Sequence, residues 1–457
     1  MKQTVSPQPE NQSGLPLPRR LHAIAAISCG TALVVLDGTV ANVALPTIAH
    51  DLGVGSAEVV GVVTVYQLVL VMLLLPFSGL GERIGLKRLF QIGQLVFTVA
   101  TILCFFAKSL PFLLIVRAAQ SVGAAAVLSV SSALIRSVYP SSQLGRGMGI
   151  NSVIVAISAA LAPTLGGLVL AIAPWPWVFA SAVPFALLSL AFGRALPDVA
   201  SRSEPYDVLG AVLCALTFGL VIGGIESGVH GDSPVVSGAM VAAGIVVAVL
   251  FIRRQQGEAK PILPVDLLRQ PVLALSTTGA FLAFLATMAV FVTLPFRLQH
   301  GYGMSPSEVG AVIAPWPLTM MVIAPLAGWL SDRYPAGLLG GIGMAIAVAG
   351  LLCIAFLPEQ LNWFEMSWRM SLASMGFAMF LSPNARLIVG SAPIERAAAA
   401  GGLIATTRMV GQTGGATLAS ALLAVGVGAG KVPALVAAGL ALVAGVCSLA
   451  RLRPSIR

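Results

Sequence analysis

Repeated runs of eighteen or more mostly apolar residues constrain this chain more than anything else in it. Each run is long enough to cross a hydrocarbon layer as a helix. No water satisfies the backbone inside that layer, so the polar groups of each crossing must be paired within a helix. The expected fold class is therefore an all-α polytopic membrane protein. Composition agrees: 57% of the residues are hydrophobic and only 9% are charged, against roughly 25% charged in a soluble domain. The 48 glycines and 29 prolines would weaken soluble helices. They suit packed membrane helices, where small residues allow close backbones and neighbours re-satisfy freed groups.

The runs divide into fourteen spans, the first near residues 22–47 and the last near 432–450. An even number puts both ends of the chain on one side. The net charge of +9 is dispersed over connectors, which argues against a nucleic-acid surface. Arg83, Lys87, Arg88, Arg136, Arg146, Arg253, Arg254 and Arg333 fall after even-numbered spans. Lys2, Arg19, Arg20, Arg451, Arg453 and Arg457 lie in the two tails, while the opposite connectors hold little beyond Lys108, Arg297 and Lys431. Basic loops remain cytoplasmic, so both termini are expected in the cytoplasm, with the chain in a bacterial inner membrane. The five cysteines lie in apolar segments and read as small buried hydrophobes.

Polar, proline-bearing connectors after spans six and eight set four regions: a flexible tail over 1–21, a six-helix bundle over 22–197, a linker with two extra helices over 198–271, and a second six-helix bundle with a short tail over 272–457. An internal repeat supports the division. Gly79-Leu-Gly-Glu-Arg83 and Gly328-Trp-Leu-Ser-Asp-Arg333 occupy matching connectors. Arg117 and Arg369 open matching spans, and Gly166-Gly167 matches Gly414-Gly415. Parallel six-helix halves are one of the transporter repeat plans.

Asp37 is the only acid well inside an apolar span. An ionisable group there costs about 3 kcal/mol, and it normally faces a cavity that handles an ion or substrate. The plainer reading is a structural Asp bonded to a neighbouring helix. At about 100° per residue, Leu33, Val40, Ala41 and Ala44 share its side, and Asn42 points elsewhere. Asp37 is assigned to the cavity and Asn42 to helix–helix hydrogen bonding. Arg117 either acts in that cavity and tunes Asp37, or bonds backbone carbonyls near a helix end; Arg369 has the same two readings. Arg408 reads as a snorkelling residue, and Glu226, His230 and Asp232 as solvated groups at the outer surface. Ala156, Ala160, Pro163 and Gly167 form a small-residue stripe suited to close packing. No Walker A pattern, metal-ligand cluster or Ser/His/Asp arrangement is visible. No enzyme activity and no cofactor are expected, and energy must come from an ion gradient, about 2.3 kcal/mol per charge per 100 mV.

The string Leu36-Asp37-Gly38-Thr39-Val40-Ala41-Asn42-Val43-Ala44-Leu45-Pro46 resembles the first-helix motif of the fourteen-span drug:proton antiporters of the major facilitator superfamily. The loop from Gly79 to Arg88 resembles the superfamily's second-to-third loop, with Glu82 where Asp is usual. Arg117-Ala-Ala-Gln120 is similar to its fourth-helix motif. Ala162-Pro163-Thr-Leu-Gly166-Gly167 is similar to its fifth-helix antiporter motif, with Ala162 for the usual Gly. Trp175-Pro-Trp177-Val-Phe179 resembles the start of its sixth helix, with Pro176 for an Arg.

The resemblance implies a proton-driven exporter of amphiphilic, cationic or neutral small molecules, working by alternating access as a monomer with the lipid bilayer around it. Asp37 and Arg117 would couple protons. Asn42, Gln120, Pro163, Gly166 and Gly167 would line the substrate cavity or pack helices. Gly79, Glu82, Arg83, Gly85, Arg88, Asp332 and Arg333 would form a conformational gate, although the loop also reads as a topology signal alone. The alternatives are export of one dedicated metabolite, such as an amino acid or lipid-like product, and a non-transporting receptor on the same fold. Reporter fusions at residues 2 and 457 are both expected to report cytoplasm; a periplasmic signal from either end would break the span count.

Overall fold

The computed structural model describes residues 14–140, 144–198, 206–229, 233–255, 268–331, 333–391 and 397–452. Among these the chain forms fourteen helical rods and no strand. In the first half they are α1 (Leu17–Leu52), α2 (Ser56–Ile84), α3 (Leu86–Phe106), α4 (Leu110–Val138), α5 (Leu144–Ile172) and α6 (Pro176–Ala195). Then come α7 (Val208–Val229) and α8 (Pro234–Gln255). The second half is α9 (Pro271–Gly301), α10 (Pro306–Leu330), α11 (Ala336–Ala355), α12 (Trp363–Ser391), α13 (Ala397–Ala424) and α14 (Val432–Ala450). All but α5, α12 and α13 are both long and apolar enough to cross a bilayer, eleven in number among the described residues.

Local sequence sets where rods stop. Gly53 takes φ +65°, so its N–H turns back to the Ala49 and His50 carbonyls and closes α1. Gly85 takes φ +103° and lets the chain reverse between α2 and α3 with a single residue. At the start of α10, Ser305 accepts from the Glu308 N–H while Glu308 accepts from the Ser305 N–H, satisfying two orphan donors.

The two halves repeat one packing plan. In the first, α3 and α2 lie on α4, while α5 and α6 lie on α1. In the second, α11 and α10 lie on α12, while α13 and α14 lie on α9. The matching glycines hold matching places: Gly166 rests on Val40 of α1, and Gly415 on Leu285 and Met288 of α9. A further pair, not picked out by motif, repeats more closely. A Cβ on Gly93 of α3 would lie 2.8 Å from the Gly123 carbonyl oxygen of α4; one on Gly343 of α11 would lie 2.7 Å from the Gly376 carbonyl oxygen of α12. Backbones meet directly at both crossings, which gains dispersion contacts where no hydrophobic drive operates.

The halves touch each other at the end of the bundle away from the termini. There Pro163 and Gly167 of α5 abut Gly310, Pro306 and Ser307 of α10. Ser420 of α13 donates to the Ala57 carbonyl of α2, and Gln299 of α9 reaches the Val43 carbonyl of α1 at 3.5 Å. Ala416 and Ala419 of α13 belong to the first half's apolar core, and Val43 of α1 to the second's. Toward the terminus end, Arg83 and Arg88 are exposed and make no hydrogen bond or ion pair among the described residues.

Helices α7 and α8 pack on each other, with Gly224 against Met240 and Gly244 against Val221. Helix α7 then docks on α2 and α13, one rod from each half. At its start Asp207 takes hydrogen bonds from Arg254 and Gln255 of α8 and from the Gly210 N–H. Burial pushes the Asp207 carboxyl up, but the Arg254 guanidinium and these bonds outweigh it and hold the group below the usual carboxylate range. Tyr206 donates to the Pro76 carbonyl at 2.9 Å and lies over Gly79.

Arg451 corrects the sequence reading of the basic tails. It is buried, not free: its guanidinium donates to Ser276 of α9, Asn384 of α12 and Ser448 of α14, at 2.8, 2.5 and 2.6 Å. Asn384 in turn donates to the Ser276 carbonyl. A tail residue is drawn inward because three rods supply acceptors together. For the glycine crossings, Gly93→Ala and Gly343→Ala are each expected to cost about 1–3 kcal/mol by overpacking. Thermal unfolding of the purified variants in detergent checks this, and unchanged melting of both would show that these crossings have slack.

Candidate functional site

Asp37 sits midway along α1 and is wholly enclosed, as is Arg117 of α4. Arg117 Nη1 donates to Asp37 Oδ2 at 2.7 Å and to Gln120 Oε1 at 2.5 Å. Gln120 Nε2 donates to the other carboxylate oxygen, Asp37 Oδ1, at 3.0 Å, and to Thr101 Oγ1 at 2.9 Å. Thr101 of α3 passes its own hydrogen to the Phe97 carbonyl. Arg117 Nε donates to the Val62 carbonyl of α2 at 3.2 Å. Four rods therefore meet in one polar knot.

Residues 117 and 120 are one helical turn apart, so both side chains leave α4 on the same face. That spacing lets one acid on α1 receive a charged and a neutral donor at once. The rest of the Arg117 guanidinium is packed by rings: it lies 4.2 Å from the Tyr66 centroid and 4.8 Å from that of Phe179. Such stacking favours the cation where water is absent. Ser121 holds α4 to α2 by donating to the Tyr66 carbonyl at 2.5 Å.

The expected residues divide accordingly. Asp37, Arg117 and Gln120 are brought together, and Arg117 combines both of its expected roles, pairing with Asp37 and capping a carbonyl. Asp37 was expected to face the cavity; in this conformation its carboxylate is enclosed by α4 instead. Asn42 was expected to bond a neighbouring helix. It is buried, but its amide has no hydrogen-bond partner, and the flanking Val40 and Val43 meet Gly166, which offers no acceptor side chain. Gly166 faces α1 while Pro163 and Gly167 face α10, so α5 is wedged at the seam between halves. The side chains of Ala156 and Ala160 lie outside the described residues.

Arg369 does not reproduce Arg117. It pairs within its own helix with Glu365 and stacks on Trp368 at 4.3 Å, because the second half offers no acid on α9 at the place of Asp37. Glu226 is not a solvated outer group. It is partly buried, and Thr64 of α2 donates to its carboxylate at 3.2 Å; the docking of α7 on α2 brings it there. His230 and Asp232 lie outside the described residues. In the gate loop Glu82, Arg83 and Arg88 are exposed, Lys87 pairs with Asp198 at 3.1 Å, and Gly79 is covered by Tyr206. Arg333 stacks on Trp329 at 4.2 Å, and Asp332 lies outside the described residues. Tyr66, Thr101 and Phe179 were not assigned to the site from the sequence. Only Phe179 had a signal, as the last residue of the quoted sixth-helix string.

The sequence profile of the Major Facilitator Superfamily matches residues 27–416 and 277–456. The chain is 45% identical over 413 residues to an uncharacterized transporter, YebQ, of Escherichia coli K12, covering 90% of each. It is 27% identical to the riboflavin transporter RibZ of Clostridioides difficile, covering 84% of this chain and 83% of that one. It is 28% identical to the multidrug resistance protein Stp of Mycobacterium tuberculosis H37Rv, over 89% of this chain and 76% of that one. Among solved structures, a bacterial homolog of the human lysosomal transporter Spinster, inward-facing and unoccupied, shares the fold with a TM-score of 0.69 at 16% identity, covering 95% of this chain and 97% of that one.

Removing one partner of a buried ion pair strands the other charge, a loss of about 3–5 kcal/mol. Arg117→Ala is therefore expected to lower the melting temperature sharply. Arg117→Lys should fall between, since an ammonium lacks the planar fork that reaches Asp37, Gln120 and Val62 together. Melting in detergent decides, and a wild-type value for Arg117→Ala would mean the pair contributes nothing to the fold.

Proposed function

Because this chain belongs to the Major Facilitator Superfamily, and is a transporter and not an enzyme, we propose that it is a proton-coupled antiporter. It exports amphiphilic small molecules across a bacterial inner membrane by alternating access. The observation that carries this reading is the enclosed Asp37–Arg117 pair on the first and fourth rods. We read the fourteen rods as fourteen spans, with bundles over 22–197 and 272–457 and α7–α8 as an inserted pair within 198–271. Both termini are cytoplasmic on this reading, the working unit is a monomer, and the structure is read as the inward-facing state, since the contacts between the halves described above lie at the far end and the middle of the bundle.

Ionised Asp37 ties α1 to α4 through Arg117 and Gln120. A proton on Asp37 removes the anion, while Arg117 keeps the Val62 carbonyl, Gln120 and two rings. Protonation thus loosens α1 without stranding the cation. Helix α1 also carries Val40 against α5 and the Val43 carbonyl toward α9, so the change is felt at the seam that must open. The gate of Gly79, Glu82, Arg83, Gly85, Arg88, Asp332 and Arg333 would close the terminus end in the opposite state. The name of Stp supports drug export. That of RibZ favours the second reading, export of one dedicated metabolite.

Asp37→Asn keeps the volume and one acceptor oxygen but removes the titratable proton and one of the two acceptors that Arg117 and Gln120 use. In proteoliposomes under an imposed pH gradient, this variant is expected to lose uphill export while downhill exchange survives. Equal coupled proton and substrate flux in variant and wild type would sink the assignment.

A further inference from the structure

Arg408 lies eleven residues into α13, far from either end of that rod. Among the described residues it makes no ion pair and no hydrogen bond, and its Nε is buried without a partner. Three other arginines with little or no exposure each have an acceptor: Arg117 has Asp37, Arg369 has Glu365, and Arg451 has Asn384. A guanidinium left unpaired in a membrane interior is costly. It is retained where its acceptor arrives from outside the chain.

The surroundings of Arg408 locate it. Ile404, Ala405, Arg408 and Gln412 share one face of α13 and are all partly exposed. Gly415, Ala416 and Ala419 continue that face and are buried, the two alanines within the apolar core of the first half. One face thus changes from accessible to sealed along its length. Ala416 and Ala419 mark where α13 meets the first half, and the partly exposed stretch lies one to three turns from that contact toward the start of α13. Gln67 of α2 and Met288 of α9 bridge the halves nearby, Nε2 to Sδ at 3.8 Å. The sequence reading took Arg408 as a snorkelling residue near the cytoplasmic end; the structure places it eleven residues into α13.

Among the described residues no acid pairs with it. Asp37 is enclosed with Arg117, and Glu226 is engaged by Thr64 on the α7 side of α2. Gln412, one turn from Arg408 on the same face, adds an amide donor. An Arg and a Gln so spaced can hold the two oxygens of a carboxylate or sulfonate, a geometry in which guanidinium is strongest. The residues beside them on that face, Ile404 and Ala405, are apolar, and the adjoining face of α13 packs at Gly411 on Phe281 and Phe284 of α9.

We propose that Arg408, with Gln412, forms the charge-selecting subsite of the central cavity and that the transported amphiphile carries an anionic group. This deepens the exporter reading and rests on the cavity between the halves being the transport path. It does not depend on how Asp37 is coupled.

Two xanthene dyes separate the charge classes on one ring scaffold: fluorescein, which is anionic, and rhodamine 6G, which is cationic. Fluorescence anisotropy with the purified full chain in nanodiscs, without any gradient, reads binding alone. Wild type is expected to bind fluorescein at least tenfold more tightly than rhodamine 6G. Arg408→Gln should weaken fluorescein at least tenfold and leave rhodamine 6G unchanged, with Arg408→Lys between. Wild type holding fluorescein no better than rhodamine 6G overturns the proposal, and that comparison stands even where a variant does not fold. Unchanged fluorescein binding in a folded Arg408→Gln overturns it as well. Failure of the proton-coupling reading would appear in flux and not in this binding measurement.

Discussion

A buried carboxylate in a hydrocarbon layer must have a partner, and in this molecule that requirement organises the first half. Asp37 on α1 draws Arg117 and Gln120 of α4, Gln120 draws Thr101 of α3, and Arg117 reaches the Val62 carbonyl of α2. Each bond is between different rods, so the knot fixes their rotation as well as their separation. Two aromatic faces close the remaining side of the cation. Such a network is stable when complete and exposed to failure when one member changes. That sensitivity is what makes Asp37 suited to report a proton.

The second half repeats the packing and not the chemistry. Its rods cross in the same order, and its close backbone approach at Gly343 and Gly376 copies the one at Gly93 and Gly123. Yet Arg369 turns back on Glu365 within its own helix, and the polar network of this half gathers around Arg451 near the terminus end. Arg408 on α13 has no partner among the described residues. The two halves thus hold different arrangements: one carries a sealed pair, the other a cation without an acid among the described residues.

Much of the site was legible because motif spacing follows the helical turn. Arg117 and Gln120 are three residues apart and must share a face. Asp37 is conspicuous as an acid in an apolar span. What escaped were partners lying on other rods. Tyr66, Thr101 and Phe179 are ordinary membrane-helix residues until α2, α3 and α6 bring them against Arg117. Glu226 looked solvated because its span ends nearby, and Arg451 looked like tail because it directly follows the last apolar span. In each case burial came from neighbours distant in sequence. Distance to a helix end is visible in one rod, but whether a face looks onto lipid or onto a cavity depends on the rods around it.

The sequence by itself determined that this chain is a set of membrane helices, where most of them begin and end, and that its halves repeat. Those properties follow from hydrocarbon thickness, from backbone groups that must pair within each rod, and from glycines at turns, all of which act locally. Only the tertiary structure decided which charges are neutralised and which are left open. Pairing needs two groups within about 3 Å, and the groups concerned stand eighty residues apart on separate rods. Helix packing alone brings them together, and helix packing alone leaves Arg408 without an acid.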